Sequence, residues 1–363
     1  LNVTHLQRTI TGDRIPGVRN PTIAATVLIA ATTAAPICWS QNTTISDVVF
    51  TNPGARSLGL GGAFAAVADD ATAAFANPAG LVQILRPEIS VEIRGTGSSG
   101  PFNAEYTIEG GVSGLGFISL VLPRRNWAFA LYSHQLGSLD FTFNGPIPET
   151  REFTVRSYSG AAAFQVGEDL SFGAGVSYFD GNRSTEGGPA EISDADWGVN
   201  AGILWSPSQD WNLAGFYRQG PGFESRTAPT QLTFPDVYGL GVAFQPNAGA
   251  LTLGFEWDQV GEAVDPLPSG TAITEGGSEL HVGAEYAVLR WKPVVAFRMG
   301  LWHEPSRDRR LSIEPGVGRT ETTKARTHFA FGFGLAFKRF QIDLGADLSD
   351  GTAVGSLSMV YSF

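Results

Sequence analysis

The stretch HFAFGFGLAF, from His328 to Phe337, decides the fold class. One face carries Phe329, Phe331, Phe333, Leu335 and Phe337, and the other carries Ala330, Gly332, Gly334 and Ala336. Strict alternation with a period of two predicts a β-strand that has one apolar face. The same pattern recurs in 170–178, 251–258 and 280–288. Because the second face is rich in Gly, Ala and Ser rather than charged residues, it indicates the crowded interior of a β-barrel.

Composition supports a transmembrane barrel over a soluble domain. The chain has 363 residues, of which only 16% are charged and 45 are glycine, whereas soluble domains average about 25% charged residues. Beyond residue 40, no apolar run approaches the ~18 residues that a spanning helix needs. A secreted β-sandwich fits this composition less well. The net charge of −11 argues against a nucleic-acid partner, since such proteins are usually basic.

Fourteen strand candidates follow one another along the chain. They cover 88–95, 112–122, 125–134, 152–166, 169–180, 194–205, 210–219, 237–246, 249–259, 278–288, 294–303, 325–338, 340–348 and 354–363. Their connections alternate between short and long until the last hairpin, as in outer-membrane barrels with short periplasmic turns and long outer loops. The sequence therefore predicts an all-β, 14-stranded antiparallel transmembrane β-barrel with both ends in the periplasm. Tryptophans near strand ends are expected to form interfacial girdles. They are Trp127, Trp205, Trp211, Trp257 and Trp302.

The chain divides into three predicted parts. Residues 1–40 have arginines before a 15-residue apolar stretch, 23–37, and small residues after it, which predicts a secretory signal peptide. Residues 41–87 precede the first strand and are rich in Gly and Ala rather than polar. Residues 88–363 form the barrel. The only cysteine, Cys38, lies in the predicted signal peptide, so no disulfide framework is expected.

The segment before the barrel is predicted to fill the lumen as a hatch. Fourteen strands enclose a wall about 14 Å in radius, which leaves a wide hole unless it is plugged. Within GGAFAAVADDATAAFANPAGL, residues 61–81, small side chains suit packing in a confined space. Asp69 or Asp70 stands near the start of a predicted short helix, where acidic groups cap free amides. Pro78 biases Asn77 away from helix and ends it.

The residues GARSLGLGGAFAAVADDATAAFANPAGL, 54–81, resemble the N-terminal signature of the FadL/TodX family of outer-membrane transporters for fatty acids and other hydrophobic compounds. The matching features are Gly54-Ala55-Arg56, the glycines of 59–62, Ala68-Asp69-Asp70-Ala71 and Asn77-Pro78-Ala79. The resemblance implies a hatch that shifts when substrate binds from outside, with sideways exit through a gap in the wall. The hatch motif is then Asp69, Asp70, Asn77, Pro78 and Ala79. A related branch of PorV-like barrels serves protein secretion, and the signature does not separate the two.

Further residues are assigned to sites. Leu136, Leu139, Phe141 and Phe143, in the predicted outer loop 135–151, are the candidates for capturing substrate. A lumenal polar network is expected from Glu256, Asp258, His281, Glu285 and Arg298. It is interpreted as a charge network that joins hatch and wall, with a polar constriction or ion site as the alternative. Tyr361 and the terminal Phe363 resemble the recognition signal for barrel assembly.

The sequence thus predicts an outer-membrane channel for hydrophobic small molecules, such as long-chain fatty acids, with protein export as the alternative and a general diffusion porin as a third possibility. Expected partners are outer-membrane lipids, the hydrophobic substrate and the barrel assembly machinery. Enzymatic activity, cofactors and metal sites are not predicted. Ser133 and His134 are adjacent on one strand and therefore point to opposite faces, which argues against a catalytic dyad.

Overall fold

A computed structural model describes residues 51–363 apart from 102–105, 112, 144–148, 186–189, 225–230, 268–269, 314–316 and 351. The predicted signal peptide and the first ten residues of the predicted hatch, 41–50, lie outside the described residues. Within the described part of the chain, no helix is long and apolar enough to span a membrane.

Strands dominate the described chain. They are β1 (Glu88–Pro101), β2 (Tyr106–Gly111), β3 (Ser113–Pro123), β4 (Trp127–Phe143), β5 (Glu149–Val166), β6 (Leu170–Thr185), β7 (Ala190–Ser208), β8 (Trp211–Arg218), β9 (Gly222–Glu224), β10 (Gln231–Thr233), β11 (Val237–Phe244), β12 (Leu251–Val260), β13 (Ala263–Leu267), β14 (Gly270–Thr274), β15 (Gly277–Val288), β16 (Val294–Glu304), β17 (Asp308–Ile313), β18 (Val317–Thr322), β19 (Arg326–Ala336), β20 (Phe340–Ser349) and β21 (Thr352–Ser362).

Fourteen of these strands close into an antiparallel barrel. The order around the wall is β1, β3, β4, β5, β6, β7, β8, β11, β12, β15, β16, β19, β20 and β21. The first and last strands pair directly, with Glu88 opposite Ser362, which leaves the wall without a free edge. The predicted fold class is therefore confirmed, and each predicted strand corresponds to one strand of the wall.

The long connections are more ordered than the sequence predicts. The predicted outer loops 96–111, 135–151 and 181–193 are largely strand, because β1 with β2, β4 with β5, and β6 with β7 continue as paired hairpins beyond the wall. Two other loops contribute β13, β14, β17 and β18 to a second, four-stranded sheet. Those boundaries were wrong because continued ladder pairing satisfies backbone groups even where the side-chain alternation weakens. We call this end of the barrel the outer mouth.

The two faces of the wall differ in the way a membrane requires. Phe329 and Phe331 on β19 face outward with 54% and 52% of their surface exposed, whereas Ala330 between them is buried. Each of the fourteen wall strands exposes at least one large apolar side chain. Soluble monomers rarely show apolar surface this extensive. The inner face carries the buried polar and charged groups. This inside-out pattern is that of a transmembrane barrel.

Residues 51–87, here called the lumenal segment, lie inside the barrel. They form helix α1 (Ala55–Gly59), helix α2 (Ala73–Ala76) and a 3-10 helix (Pro78–Gln83), whereas the short helix α3 (Pro246–Gly249) lies in the turn between β11 and β12. Leu60, Phe64 and Leu81 have no exposed surface. The chain reverses at Gly61 and Gly62, where positive φ angles of 64° and 82° favour glycine. The segment fills the lumen that the strand count predicts to be wide.

Glycines of the wall let this segment approach the strands at backbone distance. A β-carbon added to certain inward-facing glycines would overlap backbone atoms of the lumenal segment. These are Gly173 against Pro78 and Ala79, Gly283 against Leu60, Gly300 against Gly61, and Gly345 against Ala55. The glycine-rich inner face noted in the sequence therefore has a steric cause: the wall and its filling are in direct backbone contact.

Candidate functional site

Arg56 is the centre of a buried charge cluster that joins the lumenal segment to the wall. It is 2% exposed and forms ion pairs with Asp69 of its own segment and, at 3.0 Å, with Glu285 of β15. Glu285 also accepts from Arg298 of β16, whose Nη1 lies 2.7 Å from Asp343 Oδ1 of β20. Two members of the predicted network, Glu285 and Arg298, thus contact each other. Sequence reasoning did not assign Arg56 a partner, although a lone basic residue in an apolar segment was the available signal.

Glu256 and His281 contact the backbone of the lumenal segment. Glu256 Oε2 accepts from the amides of Phe64 and Ala65 at 2.8 and 2.6 Å. His281 Nδ1 lies 2.7 Å from the carbonyl oxygen of Gly61. The two side chains come from residues directly opposite each other on β12 and β15. Wall side chains thereby satisfy polar backbone groups that burial would otherwise leave unpaired.

Asp258, the fifth member of the predicted network, lies nearer the outer mouth. Its Oδ2 is 3.8 Å from Arg218 Nη2 and 3.9 Å from His281 Nε2. Arg218 in turn donates to the side-chain oxygen of Asn52 at 2.6 Å. The guanidinium carbon of Arg218 lies 5.0 Å from the ring centre of Phe75 and 4.6 Å from that of Phe216. Asp258 therefore belongs to a second cluster, separate from Arg56.

Asp70 is buried beside Arg56, at 3.7 Å from its Nη1. Its Oδ1 accepts from the amide of Thr72 at 2.9 Å and from the Thr72 hydroxyl. This local bond lies before helix α2, whose N-cap residue Thr72 makes no side-chain capping bond. The prediction that Asp69 or Asp70 caps amides of this helix is therefore wrong, because Asp70 bonds to Thr72 outside it. Burial raises the pKa of the Asp70 carboxyl above its ordinary value, and the neighbouring Arg56 opposes this only in part.

Asn77 joins three parts of the structure. Its side-chain amide donates to the carbonyls of Ala65 at 3.0 Å and Ile203 of β7 at 3.2 Å, and its Oδ1 accepts from the amide of Ala79 at 3.2 Å. Helix α2 ends at Ala76, and Pro78 begins the 3-10 helix. The Ala79 carbonyl accepts from the Ser171 hydroxyl of β6 at 3.1 Å. The Asn-Pro-Ala motif thus forms a second, uncharged attachment between segment and wall.

Trp302 is not part of an interfacial girdle. It is buried on the inner face of β16 and lies between the rings of His281 and His328, with ring centres 5.2 and 3.7 Å apart. Its Nε1 donates to Asp347 at 2.6 Å. The girdle prediction is wrong for this residue because its position on β16 shares the inward face with Arg298 and Glu304. Trp127, Trp205 and Trp211 are exposed on the outside of the wall.

The predicted capture residues fall on β4 rather than on a loop. Leu136 is buried inside the barrel with 5% exposure, next to a register shift between Gln135 and Gly137. The backbone of Leu139, Phe141 and Phe143 pairs with β2 and β5, and their side chains lie outside the described part. Leu136 therefore belongs to the lumenal core.

The C-terminal aromatic residues lie at the short-turn mouth. Tyr361 and Phe363 are about half exposed on the outside of the barrel and stack on each other with ring centres 6.2 Å apart. The amide of Phe363 donates to the carbonyl of Pro87 at 3.0 Å, just before β1 begins. The chain terminus is thus tied to the closing strand pair.

The pairing of β1 with β3 is irregular. The register shifts between Glu92 and Ile93, which leaves Gly116 of β3 without a partner residue. Gly95 of β1 lies opposite both Ser113 of β3 and Gly355 of β21. A β-carbon on Gly95 or Gly355 would meet no atom within 4 Å. We call this region the β1–β3 seam; it combines a bulge with an exposed glycine, Gly95, on the outer surface.

A cavity opens at the outer mouth above the lumenal segment. Its cavity volume, counted as room for the centres of water molecules, is about 80 Å³. Apolar walls come from Phe234, Val237 and Val260, and charged groups from Arg218, Arg307 and Arg309. In the described part of the chain, no three His, Cys, Asp or Glu side chains are arranged to hold a metal ion.

Comparisons with known proteins agree with this architecture. No family model and no curated protein matches the chain. Among solved structures, it is similar to a FadL homologue of Pseudomonas aeruginosa, with 14% identity, a TM-score of 0.63 and coverage of 86% of this chain and 99% of the other. The toluene transporter TbuX of Ralstonia pickettii gives 14% and 0.64, covering 86% and 99%. The toluene transporter TodX of Pseudomonas putida gives 14% and 0.61, covering 86% and 98%. The resemblance to FadL/TodX-type barrels is confirmed at the level of the fold.

Proposed function

We propose that this protein is an outer-membrane channel for hydrophobic small molecules, exported with its N-terminal segment as a signal peptide. The observation that carries the proposal is the filled lumen, in which a buried segment is attached to the wall at both charged and neutral sites. A general diffusion porin needs an open aqueous lumen instead. The fold shared with toluene transporters adds support for hydrophobic cargo. In a channel, the buried polar groups act as attachments between the lumenal segment and the wall and need no catalytic role.

Substrate is proposed to arrive at the outer mouth and collect in the cavity beside Phe234, Val237 and Val260. Side-chain hydrogen bonds and ion pairs hold the lumenal segment below it. Binding would then favour a shifted position of that segment, because a ligand moves an equilibrium only by its different affinity for the two states. Of the hatch motif residues, Asn77, Pro78 and Ala79 lie on the part that would move, whereas Asp69 and Asp70 lie beside Arg56 at the part that would stay fixed.

Exit is proposed to be sideways through the β1–β3 seam into the outer leaflet lipids. The register shift at Glu92, the unpaired Gly116 and the exposed Gly95 support this location. A bulge weakens the local ladder, and Gly95 carries no side chain that would cover the ladder from outside. Tyr361 and Phe363 are proposed to guide the barrel assembly machinery during insertion.

A cross-link across the seam tests the proposal. Cysteines at Gly95 and Ser113, which lie directly opposite each other, would form a disulfide in a Cys38→Ser background, since paired strand positions approach disulfide geometry. We expect oxidation to slow toluene flux into proteoliposomes severalfold and reduction to restore it. The matched control places cysteines at Val242 and Phe255, which are paired on the opposite side of the wall, and its oxidation should leave flux unchanged.

Several outcomes would contradict the proposal at different points. Unchanged flux with the seam fully cross-linked would place the exit elsewhere. A large ionic conductance of the intact protein in planar bilayers would rule out a plug. If the protein conducts neither toluene nor a fatty acid, hydrophobic transport itself fails, and co-purification with secretion components would then support the protein-export alternative.

A further inference from the structure

Charges are unevenly distributed at the short-turn mouth of the barrel. The whole chain carries 35 acidic and 24 basic residues, yet the short turns and the chain just before β1 carry seven basic residues and only three acidic ones. The acidic residues are Glu168, Asp169 and Asp210. The basic residues, here called the basic rim, are Arg86, Arg124, Arg125, Arg290, Lys292, Lys338 and Arg339. A protein that is acidic as a whole therefore has one basic end.

The two signs of charge occupy different sectors of this mouth. The basic rim belongs to the turns β15–β16, β19–β20 and β3–β4 and to the start of β1, and these follow one another around the wall. The acidic residues lie in the turns β5–β6 and β7–β8. Neighbouring turns are two strands apart, which is about 10 Å along the wall. The basic rim is thus one continuous arc, and it includes the strand ends below the β1–β3 seam.

Backbone hydrogen bonds fix the middle of this arc. The amide of Ser362 donates to the carbonyl of Arg339 at 2.8 Å. The amide of the next residue, Phe363, donates to the carbonyl of Pro87 at 3.0 Å. Because Pro87 directly follows Arg86, the backbones of Arg86 and Arg339 lie on either side of the end of β21. Two cations are therefore held near each other where the barrel closes.

The charges of the basic rim are not neutralised by the protein. Six of its side chains are exposed or half-exposed and form no ion pair within the described part of the chain. They are Arg86, Arg124, Arg125, Arg290, Lys292 and Arg339. In the outer sheet, by contrast, the exposed Arg310 and Arg319 pair with Glu275 and Glu321. The rim cations remain available to an external anion, and guanidinium groups bind phosphate oxygens well.

Exposed aromatic side chains show the depth at which these cations lie. Trp127 begins β4 directly after the turn that carries Arg124 and Arg125, and Trp291 stands between the two cations of its turn. Aromatic rings of this kind favour the boundary between hydrocarbon and headgroups. The basic turns have only three to five residues, so they stay close to that boundary. This position matches lipid headgroups better than a protein partner, which would meet charges that stand clear of the membrane.

We propose that the basic rim binds anionic phospholipids of the periplasmic leaflet through their headgroup phosphates. Short turns face the periplasm in outer-membrane barrels, and clusters of Lys and Arg at a membrane surface attract lipids with net negative charge. The bound lipids line the sector of the wall that contains the β1–β3 seam. The inference specifies the predicted lipid partner by headgroup charge and by place, and it does not rest on the transport proposal.

Phosphatidylglycerol and phosphatidylcholine with identical acyl chains provide the test, because they differ in net headgroup charge. The purified protein in detergent is mixed with equal amounts of both lipids, and the bound lipids are counted by native mass spectrometry. We expect phosphatidylglycerol to be retained about fivefold or more over phosphatidylcholine. Raising the ammonium acetate concentration from about 0.05 M to about 0.5 M should reduce this preference by screening. Equal retention of the two lipids would overturn the proposal.

Two double variants remove charge from different parts of the rim. Arg290→Gln with Lys292→Gln acts on the turn β15–β16, and Arg124→Gln with Arg339→Gln acts on both sides of the barrel closure. We expect each to reduce the preference for phosphatidylglycerol at least about threefold and to leave the retention of phosphatidylcholine unchanged. Folding is checked by the heat-dependent gel shift of the barrel, and a folding defect in one variant leaves the other to decide.

The matched control is Arg310→Gln with Arg319→Gln, which removes the same charge from the outer sheet. It should keep the wild-type preference. An equal loss of preference in the control would show that net charge, and not the basic rim, selects the lipid. An unchanged preference in both rim variants would also overturn the proposal, and an acidic periplasmic protein would then be the partner to seek. Toluene flux is not measured here, so the lipid site and the transport function succeed or fail separately.

Discussion

Two halves of the wall hold the lumenal segment by different chemistry. On β15, β16 and β20, here called the charged half, Glu285 pairs with Arg56, and Arg298 links Glu285 to Asp343. On β6 and β7, here called the neutral half, Ser171 and Asn200 donate to backbone carbonyls of the segment. Both halves also bring glycines into backbone contact with it. The same segment is therefore attached by ion pairs on one side and by neutral hydrogen bonds on the other.

This difference indicates which half of the wall can release the lumenal segment. Removing one partner of a buried ion pair leaves an uncompensated charge and typically costs about 3–5 kcal/mol. A neutral hydrogen bond contributes only about 0.5–1.5 kcal/mol net, and a small shift can replace it with water. We therefore expect the segment to stay fixed at the charged half and to move at the neutral half. That half carries the Asn-Pro-Ala motif and is separated from the β1–β3 seam by β4 and β5.

Arg56→Met should give the largest effect. The change leaves Asp69 and Glu285 buried without their shared cation, so we expect the free energy of unfolding in micelles to fall by about 3–5 kcal/mol. Bilayer conductance should rise as the segment loosens. Arg319→Met, at a largely exposed side chain, is the control and should change neither quantity. Unaltered stability of Arg56→Met would show that the charged half does not anchor the segment.

Gly173→Ala should rank second in its effect on conductance. The added β-carbon overlaps backbone atoms of Pro78 and Ala79 in the neutral half, and overpacking of this kind costs about 1–3 kcal/mol. If the neutral half yields, the variant should conduct ions while keeping most of its stability. The matched control is Gly355→Ala, whose new β-carbon meets no atom within 4 Å.

The same addition at Gly283 tests the charged half. There the β-carbon overlaps the carbonyl of Leu60, and the adjoining ion pairs restrict any shift. We expect Gly283→Ala to lose more stability and gain less conductance than Gly173→Ala. The reverse ranking would contradict the assignment of the yielding side.

How much of this could be predicted from the sequence depends on the range of the interaction. Alternation in His328–Phe337 is a local property, and it predicts strand, face and barrel correctly. The inward placement of Glu256 and Glu285 follows from the same period. The attachment of Arg56 to Glu285 joins residues 229 positions apart, and no local pattern encodes such a contact. Trp302 shows that local position can also mislead, because a place near a strand end does not fix which face of the wall a side chain occupies.

The outer hairpins illustrate a second limit. Residues 135–143 read as loop because their membrane-type alternation fades, yet they continue β4 through pairing with β2 and β5. Ladder hydrogen bonds do not depend on side-chain polarity once a neighbouring strand is present. The glycines of the inner face were visible in the sequence, but their individual contacts became assignable only from the path of the lumenal segment.

Asn77→Ala should disturb the lumen less than Gly173→Ala, because it removes attachments without adding volume. It removes three hydrogen bonds, two donated to Ala65 and Ile203 and one accepted from Ala79. We expect about 1–3 kcal/mol of lost stability and faster toluene flux, since the neutral attachment is weakened. Asn212→Ala is the control of the same type, because Asn212 makes a single bond to the segment, at Ala66. Equal effects of the two variants would remove the special role of the Asn-Pro-Ala motif.

Asp70→Asn should give the smallest effect, and it should raise the free energy of unfolding where the other variants lower it. Burial raises the pKa of Asp70 above 3.8, so the folded protein holds this proton at pH values where the unfolded chain releases it. Stability from this group is therefore present at low pH and lost as pH rises through the raised pKa. The asparagine keeps the acceptor for Thr72 and carries no charge. We expect it to add up to about 1 kcal/mol near pH 7 and to flatten the fall in unfolding free energy as pH rises above the ordinary carboxyl pKa. The control is Asp210→Asn, in an exposed turn, which should leave the pH dependence of the unfolding free energy unchanged. Destabilisation by Asp70→Asn at neutral pH would contradict the prediction. It would mean that Arg56 requires the Asp70 charge and that the charged half includes residues of the lumenal segment itself.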